Sequence, residues 1–270
     1  RWAKPKISEE EYKHWSAVGR FFRGFEYARL VSNFGDVPYF DAILEPTDLA
    51  TQYKPRTARG EVMDKVYDDF KYTLANMRLD DKTGNVNRYV AAALISNMML
   101  FEGSWQHYHN LDKTRAKKYL ELARDAAQMV MESGNYSFTS TFKDLFASES
   151  LSSNKEVIFY RTYDDALAIR HSVGSYSNGT ELQPRSANLN LIQAFICQDG
   201  KPYQNSSLAT ASDFRLKELV KSRDARFEAT FVNQVDAAAV GTQVYAHKFA
   251  GRDALAAYFQ GIVYPTKWIS

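Results

Sequence analysis

The stretch Phe34-Gly35-Asp36-Val37-Pro38-Tyr39 constrains this chain most, because it ends a long amphipathic helix with a turn that has little freedom. Gly35 can take a positive φ just past the helix, and Pro38 forbids its continuation while holding Val37 extended. Before the stop, Trp15, Val18, Phe22, Phe25, Ala28 and Val31 recur every three or four residues between Glu11 and Asn33, the spacing of a single buried stripe. Ser8 with Glu11 supplies a capping box at its start. After the stop the chain leaves straight through Tyr39 and Phe40 into a polar loop, Glu45 to Arg59.

Three more helices are expected in the first half. Val62, Val66, Phe70, Leu74 and Met77 mark one from Glu61 to Met77, followed by a turn from Asp80 to Asn85. The next, Asn87 to Glu102, is apolar almost all round and is expected to lie between neighbours; a loop from Gly103 to Leu111 follows it. The last, Asp112 to Glu132, carries Ala116, Leu120, Ala123, Ala127 and Val130 and closes on Ser133-Gly134. Leu94, Asn97, Met98 and Phe101, then Ala116, Leu120 and Ala123, have the spacing of the two helices of a tetratricopeptide unit. The residue types match in part, so the spacing supports helix-pair packing and leaves a true repeat open.

Beyond Tyr136 the texture changes. Phe142 to Phe146 reads as a short helix or turn, and Glu156 to Tyr160 as a strand. A loop rich in Gly, Ser, Asn and Tyr then runs from Tyr163 to Pro184. Asn188 to Phe195 and Leu216 to Arg223 read as helices, with a turn at Asp199-Gly200-Lys201-Pro202 between them. Phe227 to Val232 and Tyr258 to Tyr264 read as extended. The expected class is mainly α: a scaffold of tetratricopeptide-like helix pairs over residues 1–136, then a loop-rich region with short strands over 137–270 that carries the ligand surface.

Composition narrows the partners. The 34 basic and 32 acidic residues are interspersed and sum to +2, so no basic stripe suited to a nucleic acid backbone is present. The one cysteine, Cys197, excludes an internal disulfide framework and a cysteine-based zinc site. No apolar run approaches the roughly 20 residues that span a bilayer. His107 and His109 lack a recognisable third metal ligand, and no cofactor motif occurs. Aromatic residues make up 14% of the chain, which suits a surface that uses flat amphipathic rings.

Several segments, in order, resemble the SusD/RagB family. They are Phe25-Glu26-Tyr27-Ala28-Arg29-Leu30, Phe34-Gly35-Asp36-Val37-Pro38, Pro55-Arg56-Thr57, Leu100-Phe101-Glu102-Gly103-Ser104-Trp105 with Tyr108-His109, and Ser133-Gly134-Asn135-Tyr136. Downstream, Asn154-Lys155-Glu156-Val157-Ile158-Phe159, Ala194-Phe195 with Asp199-Gly200-Lys201-Pro202, and Arg223-Asp224-Ala225-Arg226-Phe227 continue the pattern, with Ala225 where the family usually has a second proline. The resemblance implies a SusD-like α-α superhelix and a glycan-binding role without enzymatic activity. It also implies a lipoprotein on the outer face of an outer membrane that delivers oligosaccharide or polysaccharide to a SusC-like TonB-dependent transporter. The family's lipidated N-terminal cysteine, first helical segment and final helices are not in this sequence, so the chain is expected to be an internal portion of a longer protein.

A pyranose is held by an aromatic ring on its apolar face and polar groups at its edge. Loop aromatics and their polar neighbours are therefore the candidates: Tyr163 and Tyr176 in the long loop, Trp268 near the chain end, His171 and Arg185 as edge donors, and Cys197 beside the Asp199-Gly200 turn. Arg170 and Asn178 offer further donors, and Trp105 is placed lower because its turn belongs to the recurring pattern. Two rival classes are a peptide-binding helical-repeat adaptor and an all-α carbohydrate-active enzyme. The enzyme needs two carboxylates facing each other across a bond, which adjacent pairs such as Asp164-Asp165 or Asp68-Asp69 do not supply.

Overall fold

In the computed structural model, which describes residues 6–80, 85–148, 150–164, 166–169 and 188–230, the first helix begins at the expected capping box. Ser8 Oγ accepts the Glu11 N–H at 3.2 Å while Glu11 Oε2 accepts the Ser8 N–H at 2.9 Å, and α1 runs from Glu9–Phe34. It stops at Gly35, whose φ of 71° is open to glycine. The buried stripe expected of α1 is met in part: Ala28 and Val31 are buried and Val18 and Phe25 pack on the core as expected, but Trp15 and Phe22 are exposed, and His14, Ala17, Phe21 and Gly24 face inward in their place. The hydropathy pattern misleads because two inward positions are small or polar for a reason. A Cβ on Gly24 would lie 2.7 Å from the Phe70 ring, and His14 Nδ1 accepts the Arg78 N–H.

A single turn, α2 (Leu49–Gln52), interrupts the following loop and is capped by Asp48. Helix α3 (Arg59–Asn76) buries Val62, Met63, Val66 and Phe70 close to the expected register. Helix α4 spans Arg88–Tyr108, so the loop expected from Gly103 is helical, with Trp105 and His107 on its last turns. Gly103 is there for proximity: a Cβ on it would lie 2.7 Å from Leu120 Cγ. Asp112 then caps α5 (Lys113–Glu132) by accepting from Thr114 and Arg115.

These helices form one unit, Arg1–Ser137 with Val157–Tyr160, in which α1 packs on α3, α4 packs on α5, and α3 also contacts α4 and α5. Phe21, Val66, Phe70, Ile95, Met99, Tyr119 and Ala126 fill the space between them. Helix α4 packs on α5, α3 and α1, as expected, but it is not enclosed all round, since Leu100 and Phe101 stay exposed. The charged residues of α3 are shared among its neighbours. Asp69 accepts two bonds from Arg23 of α1 at 2.6 and 2.8 Å. Asp64 meets Arg115, Lys118 and Tyr119 of α5. Arg59 closes on the buried Glu102 of α4 with a shortest distance of 2.6 Å.

The other unit comprises Phe138–Glu156 and Arg161–Ser270. It contains α6 (Phe142–Ala147), α7 (Leu189–Ala194), a 3₁₀ turn at Tyr203–Asn205, α8 (Leu216–Ser222) and α9 (Ala225–Thr230). Ile192, Leu219 and Phe227 form its small core. Among the described residues there is no strand, only isolated bridges at Val37–Thr57, Asp164–Ile169 and Cys197–Arg223. The strand expected at Glu156 to Tyr160 has no partner to pair with, and Ile158 instead packs on the core of the first unit. The strand expected from Phe227 is helix α9. Asp224 Oδ1 accepts the Arg226 N–H and Asp224 O accepts that of Phe227, which starts a helix where the alternation of Phe227 and Ala229 suggested a strand. Tyr258 to Tyr264 lies outside the described residues.

Because Glu102 is buried and shared by Arg59 and Gln106, Glu102→Ala strands a buried guanidinium and is expected to lower unfolding free energy by about 3–5 kcal/mol. Urea denaturation followed by far-UV circular dichroism measures it; a loss below ~1 kcal/mol would contradict that role. Gly103→Val forces Leu120 and its backbone away and is expected to cost about 1–3 kcal/mol in the same assay. Burial pulls the Asp64 carboxyl up, but the bonds from Lys118, Tyr119 and Arg115 outweigh it and hold the group below its ordinary value. A depressed folded-state value means stability that is present above the unfolded pKa and lost as pH falls through the folded one. Asp64→Asn should therefore flatten the acid limb of stability against pH and leave the slope near neutrality unchanged.

Candidate functional site

Of the loop aromatics, Tyr163 is held in a defined place. Asp164 and Ile169 exchange backbone hydrogen bonds of 3.0 and 2.9 Å, closing a short loop whose Leu167 N–H is accepted by Asp164 Oδ1 at 3.1 Å. Tyr163 stands at the base of this loop, 48% exposed. Arg161, two residues earlier, places its guanidinium over the Tyr163 ring, 5.5 Å from the centroid. The pair joins a flat apolar face to a fork of hydrogen-bond donors, which is what the face and edge of a sugar ring call for. The sequence pattern singles out the ring and misses the arginine, although the i, i+2 spacing is an available signal.

Cys197 lies elsewhere in this unit, at 1% exposure. The Asp199-Gly200 turn is closed by Cys197 N–H to Lys201 O and Gly200 N–H to Cys197 O, both at 2.9 Å. Asp199 gathers the Lys201 and Ser207 N–H groups and the Ser206 hydroxyl; the Ser207 backbone bond leads in holding its carboxyl below the ordinary value. Beneath the turn, Arg223 Nη1 donates to Cys197 Sγ at 3.3 Å, and to Ala211 O and Ser222 Oγ at 3.0 Å. The thiol thus forms part of the floor under the turn, where Gln198 N–H to Ser222 O and Asp224 N–H to Ile196 O tie turn and α8 together.

His171, Tyr176, Arg185 and Trp268 lie outside the described residues, as do Arg170 and Asn178. Trp105, in the first unit, is flanked by Phe101 in a stacked pair at 6.1 Å and by His109 at 4.1 Å, with the Arg59 guanidinium 4.5 Å from its centroid. That makes it a cover over the Arg59–Glu102 pair. Among the described residues no group of three His, Cys, Asp or Glu could hold a metal ion, and no helix is long and apolar enough to cross a membrane.

The fold has counterparts among solved structures. A SusD-like carbohydrate-binding protein from Bacteroides fragilis NCTC 9343 superposes with a TM-score of 0.60 at 21% identity, covering 84% of this chain and 41% of its own. The fold is SusD-like. A second SusD-like protein of the same organism superposes with a TM-score of 0.56, again at 21% identity and over 84% of this chain and 44% of the other. The SusD-like chain thus spans less than half the length of either. Neither a family model nor a characterised protein matches by sequence.

With its thiol buried under the turn, Cys197 should react with a water-soluble disulfide reagent only as fast as the protein opens. Stoichiometric labelling within seconds in native buffer would contradict this placement.

Proposed function

We propose that this SusD-like chain belongs to the SusD/RagB family and is a cell-surface glycan-binding protein, not an enzyme. The single observation that carries the reading is the superposition of 84% of the chain on a protein described as SusD-like and carbohydrate-binding. The half-exposed Tyr163 ring with the Arg161 guanidinium over one face supports the reading, since it brings an aromatic ring and a fork of donors together in a loop of the second unit. The ligand residues of the proposal are Tyr163 and Arg161, joined by Tyr176, His171, Arg185 and Trp268. Cys197 takes the supporting role its burial gives it. In the same proposal the whole protein is lipid-anchored on the extracellular face of an outer membrane and passes its oligosaccharide or polysaccharide to a SusC-like TonB-dependent transporter.

Affinity electrophoresis of the purified chain in gels containing single polysaccharides tests the glycan reading. Retardation by at least one polysaccharide is expected, weakened about tenfold or more in Tyr163→Ala and in Trp268→Ala with the circular dichroism spectrum unchanged. Polysaccharide turnover by the protein, or no retardation in any gel, would overturn it. Co-purification with a TonB-dependent transporter from outer membranes tests delivery, and recovery of the anchored protein in the soluble fraction would count against it.

A further inference from the structure

We infer that the first unit carries a second glycan-binding cleft, selective for neutral sugars, between the start of α4 and the end of α5. The inference rests on the glycan-binding reading but concerns residues remote in sequence from the Tyr163 loop. The cleft has a volume of about 470 Å³ and is lined by Leu79, Tyr89, Asp125, Gln128, Met129, Glu132 and Ser133. That volume falls within the roughly 300–1,000 Å³ of small-molecule sites.

Its chemistry is divided in the way a pyranose requires. The apolar part is Tyr89, Met129 and Leu79. Tyr89 is held edge-to-face by Tyr136, at 6.3 Å between centroids and 80° between planes, so its ring is set in place before anything binds. Tyr136 and Met129 are in turn packed against the main core of the unit. The described rim is rich in acceptors: the carboxylate of Glu132, that of Asp125, whose Oδ1 Arg124 engages, and the carbonyl of Gln128, one of whose two amide N–H groups goes to Glu132 Oε1 at 2.6 Å. Ser133 Oγ donates to Val130 O at 2.7 Å, which leaves its lone pairs facing outward or towards Asn135 N–H. Among the described residues the lining includes no lysine or arginine, and the neighbouring Arg124 is bonded to Asp125.

The rim also sits at the carboxyl end of α5, where the helix dipole adds negative potential. A site rich in acceptors takes hydroxyl groups that donate, with the C–H face of the ring on Tyr89, and its Glu132 carboxylate and helix end repel carboxylated or sulfated sugars. A partner that fitted equally well by charge would be a cationic amine, and the experiment separates the two.

The test uses the chain with methyl-¹³C-methionine labels, so that the Met129 methyl reports on the cleft floor; Met129→Leu assigns its signal. The probes are the neutral hexasaccharides of β1,4-glucose, α1,4-glucose, β1,4-xylose and β1,4-mannose, with trigalacturonate as the acidic control and spermidine as the cationic one. Saturable movement of the Met129 signal with at least one neutral hexasaccharide is expected. It should weaken about tenfold in Tyr89→Ala, several-fold in the exposed-side variant Glu132→Ala, and stay within about twofold in Tyr163→Ala. Trigalacturonate and spermidine should leave the signal in place. The inference is overturned if no neutral sugar moves Met129 while a sugar still binds in a manner lost on Tyr163→Ala, in which case the proposed function stands. It is also overturned if Glu132→Ala and Tyr89→Ala bind unchanged, or if spermidine or trigalacturonate moves Met129 as readily as the sugars. If no probe or polysaccharide binds anywhere on the chain, both readings fall together.

Discussion

The salt bridge between Arg59 and Glu102 holds three segments of the scaffold in one place. The Arg59 backbone N–H donates to Asp36 Oδ1 at 2.8 Å, and its guanidinium donates to Glu102 and, at 3.4 Å, to Val31 O near the end of α1. One residue thereby joins the stop after α1, the start of α3 and the middle of α4. Taking both charges out of water is costly, and the arrangement offsets that cost by using both carboxylate oxygens and adding Gln106 as a donor to Glu102 at 2.8 Å. Trp105 lies over the guanidinium and keeps water from it. The turn Phe34 to Tyr39 is therefore an anchored joint, since Val37 and Thr57 also exchange backbone bonds of 3.2 and 2.9 Å beside it.

The second unit uses a buried arginine too, but with different partners. Arg223 is 1% exposed and gives its bonds to a thiol, a carbonyl and a hydroxyl; among the described residues its Nε and Nη2 atoms have no hydrogen-bond partner. The rings of Tyr203 and Phe214 lie 5.8 and 5.6 Å from it and supply the negative faces that a carboxylate would otherwise provide. A scaffold braced by charge pairs and a loop-rich unit braced on one arginine suit a division of labour. The helices keep their spacing, and the loops remain available for contacts.

What the sequence showed and what it hid follow from the range of each signal. Caps are local, and Ser8, Asn87, Asp112 and Asn188 start helices where their side chains reach the backbone two or three residues on. Hydropathy periodicity worked where the inward residues are large and apolar, as at Val62, Val66 and Phe70. It failed on α1, where Gly24 and His14 face inward because a neighbouring helix comes close or needs an acceptor. It failed again at Gly103, where a glycine that reads as a helix end is a point of contact with Leu120. For the candidate site, the sequence pattern named the ring of Tyr163 and passed over Arg161, because the i, i+2 spacing hints at such a pair without saying that the two side chains meet. The cleft at Tyr89 was invisible for the same reason: Tyr89 and Glu132 are brought together by the packing of α4 on α5.

The helical class, the order of the long helices, the capping box of α1 and the stop at Gly35 and Pro38 were readable from the chain alone, because they depend on contacts within a few residues. Which residues of α1 are buried, the run of α4 on to Tyr108 and the place of Cys197 under Arg223 came from the folded molecule alone. Each of these is set by a partner from a distant part of the chain, and burial against such a partner outweighs the fraction of a kcal/mol by which local propensity separates one choice from the next.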